Sequence, residues 1–457
     1  MRFVRSLMQN LNWQLRASMF GRHATAVLVP LLLLISQPAA AAPHILVDME
    51  SGRILEQKDA LQPWYPASVT KLMTAFVTFE AIAAGDLTMR SAVIMSQNAL
   101  NEPPSKMGFP VGTEVTVENA LKMLIVKSAN DIAVALAEAV GGSEQKFVAR
   151  MNKTAARLGM TGTQFRNPNG LPAKGQTTNA RDMAVLTQAI FKQYPQHGDL
   201  FKITAIRAGK RVLKSYNPLL TRYQGATGMK TGFICSSGFN MVATAQRGGR
   251  HLIAVVFGAP SSQERAETAA KLLDKGFRSS GRSGQRTVAG YKARGLTAEP
   301  IDLRQQICSS TARSERANFR KSYKMGEGIS VLSNVDLIDT IPVTVRTGGA
   351  IRTISAAFRN APPPVPRPNV VLVAVPDPAG DTAAQGSAKE GSATEVASQV
   401  ANQVASQVEG SADQVDTGDG DGDEARANSQ SAQSAALGGI PLPADRPAFA
   451  KTAEPVN

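Results

Sequence analysis

Ser68-Val69-Thr70-Lys71 stands near the start of the first convincing helix of the sequence, followed by Leu72, Met73, Ala75, Phe76, Val77, Phe79 and Ile82 before Gly85. Apolar side chains on nearly every face predict a helix buried in a sizeable domain, beginning at or just after Ser68. On a helix, Ser68 and Lys71 stand three apart and share one face about a turn apart. That spacing carries chemistry. A hydroxyl is a weak nucleophile until a neighbour takes its proton, and an uncharged lysine amine within hydrogen-bond reach can do so. Taken alone, the same four residues also suit an N-cap serine and a solvated first-turn lysine, so the reading turns on what else the chain contains.

Two later stretches answer to it. Thr116 caps an expected helix through Leu124, a second helix is expected over residues 131–140 up to Gly141-Gly142, and Ser128-Ala129-Asn130 lies in the link. Further on, the turn residues Gly225-Ala226-Thr227-Gly228 lead into Met229-Lys230-Thr231-Gly232-Phe233. Gly232 has no side chain, so a substrate backbone can lie close beside such an edge strand. The surroundings are regular. Residues 45–47 and 53–55 flank a turn at Glu50-Ser51-Gly52, and residues 239–245 and 251–257 flank Arg247-Gly248-Gly249, so each pair reads as a hairpin. A helix follows from Ser261, with Glu264 three residues on forming a capping box, and packs through Ala266, Ala269, Leu272 and Leu273 up to Gly276.

The ordered trio Ser-x-x-Lys, Ser-x-Asn, Lys-Thr-Gly on this frame resembles the penicillin-recognising serine enzymes. Within them it resembles the serine-type D-alanyl-D-alanine carboxypeptidases of the low-molecular-mass penicillin-binding proteins, the peptidase S11 family. The likeness covers roughly residues 43–277 and extends to Gly228-Met229-Lys230-Thr231-Gly232-Phe233 and Asn167-Pro168-Asn169-Gly170-Leu171. It implies an α/β (α+β) fold, an antiparallel sheet flanked by helices plus an all-helical region. It also implies roles. Ser68 would be the acylated nucleophile, Lys71 its neutral general base and Ser128 a proton relay. Asn130 would hold the peptide amide, Lys230 and Thr231 would bind the terminal carboxylate, and the N–H groups of Ser68 and Phe233, beside Gly232, would stabilise the oxyanion. The partners implied are a peptidoglycan stem peptide and β-lactams as covalent inhibitors, with no cofactor. Members of the family often carry Asp at the position of Thr227 and His at that of Asn169, which bears on substrate detail.

Two alternatives differ in kind. A class A β-lactamase shares the triplets but needs a carboxylate to activate the deacylating water, and residues 160–180 contain no Glu or Asp. A catalytically idle, wall-binding or penicillin-sensing module would tolerate loss of motif residues, and none is lost.

Composition sets the remaining bounds. The 457 residues are 43% hydrophobic with a formal charge of +14, enough for one large domain and a smaller one. Charge is uneven: from Asp377 onward 13 acids face 4 bases, a net −9, which leaves +23 on the body. Such a body attracts anions, but neither zinc-ligand spacing nor an aromatic-basic ribonucleoprotein motif is present, so nucleic acid is not the expected partner. Arg2, Arg5, Arg16 and Arg22 precede and flank an apolar run of 12 residues (24–35), followed by Ala39-Ala40-Ala41-Ala42. This predicts an export signal over residues 1–42 and a location in the periplasm or cell wall. In that oxidising compartment Cys235 and Cys308 could be bridged or remain two buried thiols. Two cysteines and four scattered histidines give no metal-ligand spacing. Beyond the catalytic domain, residues 285–360 are expected to form a small β-containing C-terminal appendage. Residues 361–457 are expected to be a Pro-rich spacer and a disordered acidic tail with no basic amphipathic stretch, so membrane attachment is not indicated.

Overall fold

The computed structural model describes residues 43–279, 286–293, 295, 299–324, 327 and 330–350. The expected export signal and the Pro-rich spacer and tail lie outside the described residues. The chain opens with β1 (His44–Asp48) and β2 (Ile54–Lys58), joined through a left-handed Gly52. A 3₁₀ turn over Ala67–Thr70 runs straight into α1 (Lys71–Ala83). Ser68 therefore lies in the turn ahead of the α-helix. Residues three apart eclipse in a 3₁₀ turn, so its alignment with Lys71 survives.

After α1 come the short β3 (Ala92–Ile94), α2 (Gln97–Leu100) and β4 (Glu114–Thr116). The Thr116 hydroxyl then accepts from the Asn119 N–H and caps α3 (Val117–Val126). Next are α4 (Asn130–Gly141), which stops at a left-handed Gly142, α5 (Glu144–Arg157) and α6 (Ala180–Gln193). The hairpin β5 (Ala205–Ala208) and β6 (Arg211–Lys214) and a single turn, α7 (Leu219–Arg222), lead to a meander of β7 (Ala226–Ile234), β8 (Gly238–Arg247) and β9 (Arg250–Ala259). Then comes α8 (Ser262–Arg278), capped by Ser261: Glu264 N–H donates to Ser261 Oγ at 3.1 Å, and Glu264 Oε2 accepts at 2.7 Å from the Ser261 hydroxyl, where a full capping box would use its backbone N–H. The helix runs two residues past the expected stop at Gly276.

The two hairpins join into one antiparallel sheet in the order β2-β1-β9-β8-β7, with β7 at an edge. Its inner strands β1, β9 and β8 are buried on both faces, which explains their nearly unbroken apolar runs, whereas β2 at one edge is largely exposed. Strand periodicity sorts the side chains. Ile45, Val47, Val242, Ile253, Val255 and Phe257 join the core built with α1, α3, α4 and α6, whereas Leu46, Met241, Ala243, Leu252, Ala254 and Val256 pack with Ala266, Ala269 and Leu273 of α8. The expected layers are present.

The segment beyond residue 277 lies along this body. Ile54 N–H donates to Arg286 O, Val288 N–H to Gly52 O, Leu303 N–H to Ser236 O and Ser333 N–H to Arg222 O, each at 2.9–3.0 Å. It carries two helices the sequence did not reveal, α9 (Arg304–Cys308) and α10 (Ser310–Ser322), and a strand, β10 (Val343–Val345), which pairs in parallel with β5. The helices were hard to read because only Ile307 and Ala312 among their apolar side chains are buried, too few for an amphipathic stripe. Among the described residues no helix is long and apolar enough to cross a membrane.

Cys235 and Cys308 are bridged, with Cα atoms 5.6 Å apart and a separation of 73 in sequence. The bridge ties the turn after β7 to α9. Closing a loop of that length restricts the unfolded chain by about 4 kcal/mol. Replacing both cysteines by serine should lower the unfolding free energy by about 2–4 kcal/mol, read as a lower urea midpoint at unchanged slope. A midpoint that does not move would contradict a stabilising bridge.

Candidate active site

The three motifs converge where the edge strand β7 passes the 3₁₀ turn. Gly232 makes the approach possible: a Cβ there would stand 2.9 Å from Ser68 N and 3.1 Å from Val69 N, closer than side-chain carbons tolerate. Asn240 on β8 holds the turn from the other side. Its amide donates to Tyr65 O at 3.0 Å, and its Oδ1 accepts from Gly258 N–H at 3.1 Å. The third motif arrives in the link between α3 and α4, where Ser128 takes a left-handed φ of 62°. Asp131 anchors that link by accepting the N–H groups of Met107 and Gly108.

Lys71 is fully buried, and its Nζ has three oxygen neighbours: Ser68 Oγ at 3.0 Å, Asn130 Oδ1 at 2.7 Å and the Asn169 carbonyl at 2.7 Å. A neutral amine has two N–H donors and one lone pair. The two short contacts are to groups that only accept, so they engage both N–H bonds and leave the lone pair directed at Ser68. The Asn130 Nδ2 donates one of its two N–H groups to Pro103 O at 2.9 Å, and its second remains for a ligand acceptor. On the facing side Lys230 Nζ, 2% exposed, donates to Ser128 Oγ and to Thr231 O, both at 2.9 Å.

Electrostatics separate the two lysines. Burial lowers the Lys71 ammonium well below its ordinary range, and the positive charge of Lys230 lowers it further. Burial also lowers Lys230, to about 7, with Arg265 adding to the effect. Burial thus favours the neutral amine at both positions, and Lys71 carries the added repulsion of Lys230.

Ser68, Ser128, Asn130, Thr231, Gly232 and Phe233 line one cavity of about 1280 Å³, and Lys71 and Lys230 reach it through their bonds to the two serines. All eight residues singled out in the sequence therefore meet. Several that matter were not singled out. Arg265, 4% exposed, sits in the first turn of α8, where the helix dipole disfavours a cation; that misplaced charge was the available signal. The Asn169 carbonyl acts through the backbone, which side-chain motifs do not encode. Glu102 accepts from Asn169 Nδ2 at 2.9 Å, so the asparagine standing where relatives often have histidine serves to tether the loop. Thr227, the other departure, bonds Thr244 and His251. The first carboxylate after the acid-free stretch 160–180 is Asp182, which is buried and engaged by Arg181, Thr163 and Gly162 N–H.

Comparison with known proteins agrees with this geometry. The family model for D-alanyl-D-alanine carboxypeptidase, peptidase S11, matches residues 34–261. The D-alanyl-D-alanine carboxypeptidase DacF of Bacillus subtilis is 33% identical over 305 residues, 64% of this chain and 77% of that one. DacC of Escherichia coli is 36% identical over 245 residues, 52% of this chain and 61% of that one. Among solved structures, the carboxypeptidase DacD of Francisella tularensis aligns with a TM-score of 0.51 at 29% identity, covering 52% of this chain and 70% of that one. Penicillin binding protein 5 of Haemophilus influenzae aligns at 0.50 and 34% identity, covering 52% and 71%.

The Asn167–Leu171 loop is the most demanding contact of the site. Gly170 has φ +89°, and a Cβ there would stand 1.9 Å from the Ala67 carbonyl oxygen. Gly170→Ala should therefore cost about 2–4 kcal/mol in urea unfolding. Gly209→Ala, also at positive φ but with open space around it, should cost about 1 kcal/mol. Equal losses would show that the close approach to the serine turn is not what the glycine serves.

Proposed function

Because the chain belongs to the D-alanyl-D-alanine carboxypeptidases of peptidase S11, we propose that Ser68 carries the acyl-enzyme through which it removes the terminal D-alanine of peptidoglycan pentapeptides. The observation that supports this most is the 3.0 Å contact between Lys71 Nζ and Ser68 Oγ, beside two acceptors that can engage both N–H bonds of a neutral amine. Lys71 takes the Ser68 proton as Oγ attacks the penultimate D-alanine carbonyl, forming the Oγ–C bond. The N–H groups of Ser68 and Phe233 receive the oxyanion, a contribution of about 3 kcal/mol per donor. Asn130 offers its second N–H to the substrate backbone. Lys230 and Thr231 take the terminal carboxylate, and the proton that Lys71 took from Ser68 passes on through Ser128 to the departing amine as the C–N bond breaks, which leaves Lys71 neutral again and Lys230 charged. Water then adds to the ester, with Lys71 again accepting the proton, and Ser68 is regenerated.

The same constellation acylates on a β-lactam, whose strained amide stands in for the D-Ala-D-Ala bond. No carboxylate in residues 160–180 is available to activate water against the product ester, which favours a slow carboxypeptidase-type release over a β-lactamase. The Arg-flanked apolar run near the N-terminus supports export, so the reaction belongs in the periplasm or cell wall.

D-alanine release from a diacyl-L-Lys-D-Ala-D-Ala peptide tests the assignment. Ser68→Ala should lose at least about 1,000-fold in kcat/KM, and retained release would remove Ser68 from the mechanism.

The pH profile follows from the two lysines. Lys71 must be neutral and Lys230 charged, so kcat/KM is expected to be bell-shaped, with the acid limb from Lys71 and the alkaline limb from Lys230. Arginine stays charged throughout the accessible range. Lys230→Arg, even at a reduced peak, should therefore keep the acid limb and lose the alkaline one, and an unmoved alkaline limb would assign that titration to another group.

A further inference from the structure

The cavity at Ser68 extends well past the residues that act on the scissile bond. Its far wall is formed by α9 and α10, which present Arg304, Arg313 and Arg320 to the same space as Ser68, Ser128 and Thr231. These helices lie beyond residue 261, where the family match ends. Two attachments fix α9 to the turn after β7, and a third ties α10 to α9. Cys308 of α9 is bridged to Cys235, Leu303 N–H donates to Ser236 O at 3.0 Å, and the guanidinium of Arg316 on α10 donates to Ile307 O of α9. Arg316 also lies over the Phe239 ring, 6.0 Å from its centroid.

The charge of this space is one-sided. Lys214, Arg222 and Arg265 also line it; among its described lining residues the one carboxylate, Asp336, is paired with Arg222 at 3.1 Å, and Asp302 stands 3.9 Å from Arg304. A low-dielectric cleft lined by one sign of charge concentrates counter-charged ligands. The direction of the substrate then follows from the strand. If Lys230 and Thr231 hold the terminal carboxylate and Phe233 N–H the reacting carbonyl, the peptide runs along β7 with its upstream residues towards Ile234 and Cys235. That is where α9 and α10 are tethered.

We infer that Arg304, Arg313 and Arg320 form an acyl-side subsite for a free carboxylate borne by the substrate peptide upstream of its two D-alanines. The inference rests on the carboxypeptidase reading and deepens it: the disulfide-tethered helices select acidic acyl donors. No covalent step is added. Binding replaces hydration of the carboxylate with charge-assisted hydrogen bonds from guanidinium groups, whose planar fork suits a carboxylate.

The test uses the mature full-length protein and two N-acetyl peptides ending in D-Ala-D-Ala, identical except for Glu or isosteric Gln at the two positions immediately upstream. Wild type should prefer the Glu peptide by about 10-fold or more in kcat/KM, mainly through KM, the scale of one charge-assisted hydrogen bond. The preference should shrink as salt is raised from about 0.05 to 0.5 M. In R304Q/R313Q/R320Q it should fall to within about 2-fold, while penicilloylation of Ser68 verifies that the site is assembled. Arg304 is largely exposed, with 63% of its side chain accessible, so R304Q alone should fold normally and show a partial drop. Equal use of both peptides by wild type would overturn the subsite, as would a preference that survives in R304Q and the triple variant. Failure of wild type to cleave either peptide or to be acylated would overturn the carboxypeptidase reading and this proposal with it.

Discussion

Two lysine ammonium groups cannot both stay charged in one buried pocket, and the site is arranged around that constraint. Lys71 is fully buried and Lys230 nearly so. An isolated ammonium pays several kcal/mol for leaving water, and each cation raises the cost of the other. Burial and the charge of Lys230 both push Lys71 towards the neutral amine. Lys71 touches only neutral oxygens, two of which accept its N–H bonds, while Glu102 and Asp131 act on it only through longer-range attraction. In the proposed mechanism Lys71 is the neutral amine a serine nucleophile requires, and Lys230 the cation an anionic substrate terminus requires. Placing two like charges together is unfavourable for folding, but on that proposal it divides base and carboxylate receptor between two chemically identical side chains.

The fold serves this pair by bringing three distant segments within hydrogen-bond reach. The serine turn and α1 supply one lysine, the edge strand β7 supplies the other, the link between α3 and α4 supplies Ser128, and the first residue of α4 is Asn130. Side chains would keep these backbones apart, so the closest approaches fall at glycines: Gly232 against Ser68 N and Gly170 against the Ala67 carbonyl. Asn240 and Asp131 then fix the approach with buried hydrogen bonds. An edge position for β7 leaves one side of the strand for a peptide to add to, and the bridge from Cys235 carries α9 and α10 to the end of that groove.

Much of this was legible in the sequence because it lies in local patterns. Alternation and unbroken apolar runs gave the two hairpins, and the Ser261–Glu264 box gave the start of α8. The order of the three triplets placed all eight site residues. What the sequence withheld depends on tertiary placement. The Asn169 carbonyl, the distant carboxylate of Glu102 and the Asn240 amide have no periodicity and no fixed spacing from Ser68. Arg265 left a trace as a cation in the wrong turn of a helix. The helices α9 and α10 bury too few apolar residues to show a stripe, and they owe their place to the Cys235–Cys308 bridge and to backbone bonds with the body.

The central claim is that Ser68 is the activated nucleophile of this arrangement, and the most direct measurement is the intact mass of the mature protein after exposure to benzylpenicillin, beside that of Ser68→Ala. The account predicts one penicilloyl adduct that persists for many minutes and is absent from the variant. An adduct that forms on Ser68→Ala, or rapid hydrolysis of the drug with no adduct on the wild-type protein, would contradict it.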